Sequence, residues 1–177
     1  WSNRGDSIDS TLTRAFDLSA LDQAKLQFWA WYAIEKDWDY AYIEVSRDSG
    51  LTWDVLPGKH TTKTNPVGNS FGPGLTGASL GWIKEEVDLS QYVGGEILLR
   101  FEYITDGALH LPGLCIDDIS IPELDYAYDA EGDDGWESDG FVRTSNKLSQ
   151  DFILQLIEKG NEIRVIDVPI NSEGKAT

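Results

Sequence analysis

Residues Tyr40 to Leu56, YAYIEVSRDSGLTWDVL, constrain the fold more than any other stretch of this chain. Ala41, Ile43 and Val45 alternate with Tyr42 and Glu44, the two-residue period of a strand with one buried face. Ser46 to Trp53 then supplies a turn, and Thr52 to Leu56 a second β-rich run. Asp48 stands where its carboxylate can accept hydrogen bonds from turn N–H groups, and Gly50 where a positive φ is needed. The expectation is a locked hairpin that serves folding rather than catalysis.

The same alternation recurs along the chain. Thr11 to Leu18, Lys25 to Ile34, Trp82 to Leu89, Glu96 to Tyr103 and Leu114 to Ile121 all read as strands. Lys25 to Ile34 puts Leu26, Phe28, Ala30, Tyr32 and Ile34 on one face and Trp29, Trp31 and Ala33 on the other. A strand apolar on both faces is expected to be central and covered on both sides. Phe16-Asp17-Leu18-Ser19 and Val87-Asp88-Leu89-Ser90 echo each other as equivalent corners. No helical period persists before residue 124, so the fold class is all-β: a jelly-roll β-sandwich with a small C-terminal β extension.

Two domains are expected, the sandwich over 1–124 and an acidic linker with a small β meander, docked on it, over 125–177. Glu123 to Asp139 holds eight acids in 17 residues; beyond it Gly140 to Arg143, Asp151 to Ile157 and Glu162 to Val168 read as strands around a Lys159-Gly160-Asn161 turn. Between hairpin and Trp82, Pro57 to Gly81 forms a loop too long to be ordinary, either a functional segment or an insertion wrapped over the sandwich edge.

Lys and Arg total 14 against 31 Asp and Glu, a formal charge of −17, which repels phosphate backbones and anionic lipid. No apolar run approaches the roughly 20 residues of a membrane span. Nucleic-acid partners and membrane insertion are therefore not expected. Cys115 stands alone, which excludes an internal disulfide, and its apolar neighbours mark it as a buried small hydrophobe. The chain opens on Trp1-Ser2-Asn3 without Met or signal peptide and reads as a fragment from inside a longer polypeptide.

Catalytic constellations are scarce. His60 and His110 are the only imidazoles, and there is no H-E-x-x-H, G-x-S-x-G or Walker loop. Glu85 and Glu86, adjacent in a strand, point to opposite faces and cannot flank one glycosidic bond. Metal is the better expectation. Asp6 and Asp9 precede the first strand, and Asp117-Asp118 lie in the last sandwich strand, one carboxylate inward and one outward. In a jelly roll those strands lie side by side, so the four carboxylates could form a structural calcium site. The same Asp residues also suit turn caps facing solvent. Glu35, Asp37 and Asp39 form a second acidic group around Trp38, read first as ordering its turn and second as a metal site. Asp129, Glu131 and Asp133 mimic an EF-hand start, but Asp134 and Gly140 occupy the positions of its Gly and bidentate Glu. Arg4-Gly5-Asp6 spells an integrin tripeptide of a kind that arises readily by chance. Phe71, Trp82, His60 and Trp38, in or near the long loop, are the candidate ligand-binding residues; exposed aromatics suit stacking on sugar rings.

Ser46 to Trp53 matches the Asp-box pattern S-x-D-x-G-x-T-W, found in sialidases and many extracellular β-proteins. The single box and six scattered Arg weigh against a sialidase. A wider likeness runs through Trp1-Ser2-Asn3-Arg4-Gly5-Asp6, Ile34 to Tyr40, Ser46 to Trp53 and Phe71 to Gly77. It continues through Arg100 to Asp106, Ile116 to Ile119, Gly135-Trp136 and Gly140 to Arg143. On these residues the chain resembles the non-catalytic, MAM-like β-sandwich of immune inhibitor A-like (thuringilysin-type) secreted metallopeptidases. The resemblance implies a secreted bacterial accessory module with structural calcium, whose partners are a neighbouring protease domain and a protein or glycan substrate. It has no counterpart of the family's zinc motif in these residues, so the chain itself is not expected to be an enzyme. The alternative is a carbohydrate-binding module using the 57–81 loop and its aromatics.

Overall fold

Leu26, Phe28, Ala30 and Tyr32, alternate residues of one strand, are all buried, while Trp29 between them stays 39% exposed. They lie on β2 (Lys25–Ala33) of a computed structural model that describes residues 1–144, 154–160 and 162–169. The other long strands are β1 (Asp9–Asp17), β3 (Tyr40–Ser46), β5 (Ile83–Asp88), β6 (Glu96–Ile104) and β7 (Gly113–Ile121). Short strands β4 (Asp54–Val55), β8 (Tyr126–Tyr128) and β9 (Glu137–Asp139) join them. Among the described residues only two 3-10 turns are helical, Ser90–Tyr92 and Pro122–Leu124. Among those residues no helix is long and apolar enough to cross a membrane.

The strands pair antiparallel in two sheets, ordered β4-β3-β6-β1-β9 and β5-β2-β7-β8. The chain changes sheet at almost every connection, from β1 to β2, to β3 and β4, to β5, to β6, to β7 and β8, and back to β9. That winding is a jelly-roll sandwich. Its core is the interleaved inner faces: Leu26, Leu99, Leu89 and Ile121 are fully enclosed, and Phe28 meets Phe101 edge-on at 4.9 Å. The two echoing segments are equivalent corners in physical terms. Asp17 accepts the Ser19 amide and Asp88 the Ser90 amide, each at 2.9 Å, while Leu18 and Leu89 between them are buried.

The strand covered on both faces is β3, not β2. Every residue of β3 is buried, because the 57–81 loop folds over its outer side. Leu75 exchanges backbone bonds with Ala41 at 2.8 and 2.9 Å, the Tyr40 hydroxyl donates to the Thr64 carbonyl at 3.0 Å, and the Phe71 amide donates to the Tyr42 hydroxyl at 3.0 Å. Gly74 is required here, since a Cβ would lie 2.8 Å from the Tyr42 ring. Trp29 faces outward opposite Lys84 and Asp117 on the neighbouring strands, and Cys115, expected inside, faces outward opposite Trp31 and is only half-buried.

The acidic segment after Leu124 is part of the sandwich. It supplies β8 to one sheet and β9 to the other, and the first compact unit runs Trp1–Thr144. Phe141 is buried, and Val142 exchanges backbone bonds with Trp1 instead of extending a strand over 140–143. In the second unit β10 (Leu154–Lys159) and β11 (Ile163–Val168) pair antiparallel from Leu154↔Val168 to Lys159↔Ile163. Residues Asp151 to Ile153 and Asn161, read as strand and turn, lie outside the described residues.

Candidate functional site

The β2–β3 turn and the end of β6 meet because β3 and β6 are paired from Tyr40↔Ile104 onward, which brings the residues just outside each strand together. Asp37 takes a positive φ of 70° in that turn. Its amide donates to the Thr76 hydroxyl at 2.8 Å, and the same hydroxyl donates to the Glu35 carbonyl. The Asp39 amide closes the turn on the Glu35 carbonyl at 3.1 Å. From the other side, the N-terminal segment braces the end of β6. Thr105 donates to the Gly5 carbonyl at 2.8 Å and accepts the Ile8 amide at 3.0 Å.

The result is three carboxylates, Glu35, Asp39 and Asp106, whose oxygens lie within 4.8 Å of one another. Two ligands on one calcium at about 2.4 Å can be no farther apart than about that. Asp39 is 1% exposed. One of its oxygens accepts the Asp106 amide at 2.9 Å, and the other, Oδ2, is buried with no hydrogen-bond partner. Burial first, then the neighbouring charges of Asp106, Glu35 and Asp6, push the Asp39 carboxyl up to about 6, against the pull of the Asp106 amide. A second orphan, the Tyr103 hydroxyl, is raised by burial and by the charge of Asp39. A buried, unpaired anion surrounded by others is costly unless a cation joins it. An all-oxygen carboxylate set of this kind can hold a hard metal ion.

The residues singled out from the sequence are distributed differently. Asp6 receives the His110 ring Nδ1 at 2.7 Å, which also occupies the carboxylate of the Arg4-Gly5-Asp6 triplet. Asp9 opens β1, near enough to Glu102 to raise it. β1 pairs with β6 and β9, whereas β7 lies in the other sheet beside β2 and β8, so the strand neighbours assumed for Asp6 and Asp117 are not formed. At Asp117-Asp118 the β2–β7 register shifts, Asp118 takes φ 48° and is exposed, and its amide bonds the Asp117 carboxylate at 2.9 Å. Neither carboxylate enters the core as the alternation suggested, since the bulge breaks the period. Asp106 was missed because it carries no local pattern; only the β3–β6 register reveals it.

The aromatic candidates also separate. Trp38 and Phe71 line one cleft with Tyr40, Tyr42, Asn69 and Asp106. Trp82, 50% exposed, stands immediately before β5. His60 is bound to Glu85, which is fully buried and accepts the His60 amide at 3.0 Å and its ring Nδ1 at 3.1 Å. The other imidazole, His110, is taken by Asp6.

The family profile described as "Immune inhibitor A-like, MAM domain" matches residues 1–146. The chain is 35% identical over 147 residues to "Pre-pro-metalloprotease PrtV" of Vibrio cholerae, covering 81% of this chain and 15% of that protein. It is 34% identical over 150 residues to "Immune inhibitor A" of Bacillus thuringiensis subsp. alesti, covering 82% and 20%. A shorter match, 30% over 98 residues, joins 55% of it to 6% of "Bacillopeptidase F" of Bacillus subtilis. The chain thus spans only about a fifth or less of the length of these relatives. Its sandwich, and the N-terminal, β2–β3 and β6 segments that carried the resemblance, agree with one conclusion: the chain belongs to the Immune inhibitor A-like MAM domain family.

Proposed function

We propose that this chain is a non-catalytic accessory module of a secreted bacterial metallopeptidase, and that calcium bound by Glu35, Asp39 and Asp106 ties its β2–β3 turn to the end of β6. The observation that carries the cation is the buried, unbonded Oδ2 of Asp39 inside a carboxylate triad. The family supports the accessory role, since a relative of this domain is named as a metalloprotease. The module would stabilise or orient a neighbouring protease domain and help present a protein or glycan substrate.

Differential scanning calorimetry in calcium and in EDTA tests the cation. Calcium at ~100 times its dissociation constant stabilises the fold by ~2.7 kcal/mol. The Tm rises accordingly in the native protein and not in Glu35→Gln. An EDTA-insensitive Tm rejects the calcium reading. A second reading, carbohydrate binding, is favoured by Trp29 and Trp82, exposed at 39% and 50% on or beside adjoining strands β2 and β5. Binding on a glycan array that disappears in Trp82→Ala would promote it.

A further inference from the structure

The cleft beside the carboxylate triad is built of rings and acceptors. It measures about 270 Å³. Its wall is the stacked pair Tyr40 and Tyr42, ring centroids 6.0 Å apart and 14° from parallel. Both rings are 1% exposed and their hydroxyls are committed to the 57–81 loop. Rigid walls of this kind hold their geometry without a ligand. At the mouth Trp38 and Phe71 remain 45% and 71% exposed, a large apolar exposure that water disfavours. Asp106 adds a carboxylate, and the Asn69 amide donates one of its two N–H groups to the Trp38 carbonyl at 3.2 Å.

Among the described residues no Lys, Arg or His lines this cleft, and the chain carries a formal charge of −17. Aromatic faces present the negative side of their quadrupole, so rings and carboxylate act with the same sign. An anion is repelled. A neutral sugar would leave the Asp106 carboxylate without a counter-charge. Calcium is held by oxygens, which rings do not supply. What fits is a cation that carries its own donors and a soft apolar stem.

We propose that the cleft between Trp38 and Phe71 is a receptor for a basic side chain, the guanidinium of Arg or the ammonium of Lys, presented by a partner polypeptide. The ring faces take the charge by cation–π contact and Asp106 takes a charge-assisted hydrogen bond. In the accessory-module reading that polypeptide is a protein substrate. Asp106 also belongs to the proposed calcium triad, so calcium competes with the basic side chain for it, and the cleft takes that side chain in the calcium-free chain.

The test is NMR titration of the 15N-labelled chain at physiological salt and in EDTA with end-blocked Gly-Arg-Gly and Gly-Lys-Gly, using the isosteric citrulline tripeptide as the uncharged control. The basic peptides are expected to shift the Trp38 indole and Asn69 side-chain signals, with affinity falling about tenfold in Phe71→Ala. Phe71→Ala keeps the net charge, so the loss reports the cleft and not the acidic surface. An unchanged thermal response to calcium in that variant shows the fold intact. Equal binding of the citrulline peptide, or unaltered affinity in both Phe71→Ala and Trp38→Ala, overturns the proposal. So does a neutral hexasaccharide that shifts the same signals while the basic peptides do not. If calcium still raises Tm but the peptides leave Trp38 unmoved, the receptor fails and the calcium reading stands.

Discussion

Asp39 accepts the amide of Asp106 through one carboxylate oxygen and leaves the other enclosed and unbonded. The pairing holds the β2–β3 turn against the end of β6, and it places an uncompensated charge where solvent cannot reach. Asp39→Asn keeps the shape and removes the charge. In EDTA this variant is expected to be at least as stable as the native protein, because the buried anion is gone. In calcium it falls below it, because the ion no longer binds. Paired calorimetric scans check both signs.

Asp48 locks the turn after β3, accepting the Thr52 hydroxyl at 2.6 Å, the Thr52 amide at 2.9 Å and the Ser46 hydroxyl at 2.7 Å. The Thr52 bonds, foremost, push its carboxyl down to about 2 from an ordinary 3.8. A depressed carboxyl contributes stability above its unfolded value that is lost as pH falls through the folded one. The Tm of the native protein should therefore exceed that of Asp48→Ala at neutral pH. The gap should narrow between pH 3.8 and about 2. Thermal melts of both proteins across that window measure it.

Glu102 shifts the opposite way. Burial, and then the charge of Glu44, raise it to about 7 from 4.5, although Arg100 bonds both glutamates and pulls it down. A raised carboxyl favours the folded state most below its unfolded value, and that contribution fades as pH climbs through the folded one. Native stability is expected to decline between pH 4.5 and about 7. Glu102→Gln should flatten the decline, as read by urea midpoints at each pH.

Glu85 sits at the root of the long loop, buried among three N–H donors, two from His60 and one from Glu86. Glu85→Ala strands those donors and is expected to cost about 2–4 kcal/mol. Hydrogen exchange at the His60 amide should accelerate even where the global Tm is matched by lowering the temperature. That local loss distinguishes an unpinned loop from general destabilisation.

Phe28 and Phe101 join the sheets edge-on at 4.9 Å. Phe28→Ala should cost about 3–5 kcal/mol in a chemical denaturation of the unit, through lost transfer energy and the void left behind.

The long strands were legible because their burial follows the residue alternation. β6 was expected at 96–103 and spans Glu96–Ile104; β7 was expected at 114–121 and spans Gly113–Ile121. β8 and β9, three residues each inside an acidic run, were not. Their pairing depends on neighbouring strands rather than on their own pattern. The double coverage of β3 also escaped, since it comes from a distant loop whose glycines say nothing of where they pack. At the site, Glu35 and Asp39 were visible as an acidic turn, yet Asp106 joins them only through strand pairing between residues more than 60 positions apart. A close reading of which strand ends abut would have found it.

The sheet-to-sheet winding also governs how this molecule comes into being. β1 cannot complete its ladder until β6 has emerged, and Trp1 waits for Val142. Such non-local closure is slow, and N-terminal strands leave the ribosome well before their partners. Until then the apolar faces of β1 and β2 lie open to stray pairing. Only near the end of translation of the unit does the first residue find its place, so the domain matures as a whole or not at all.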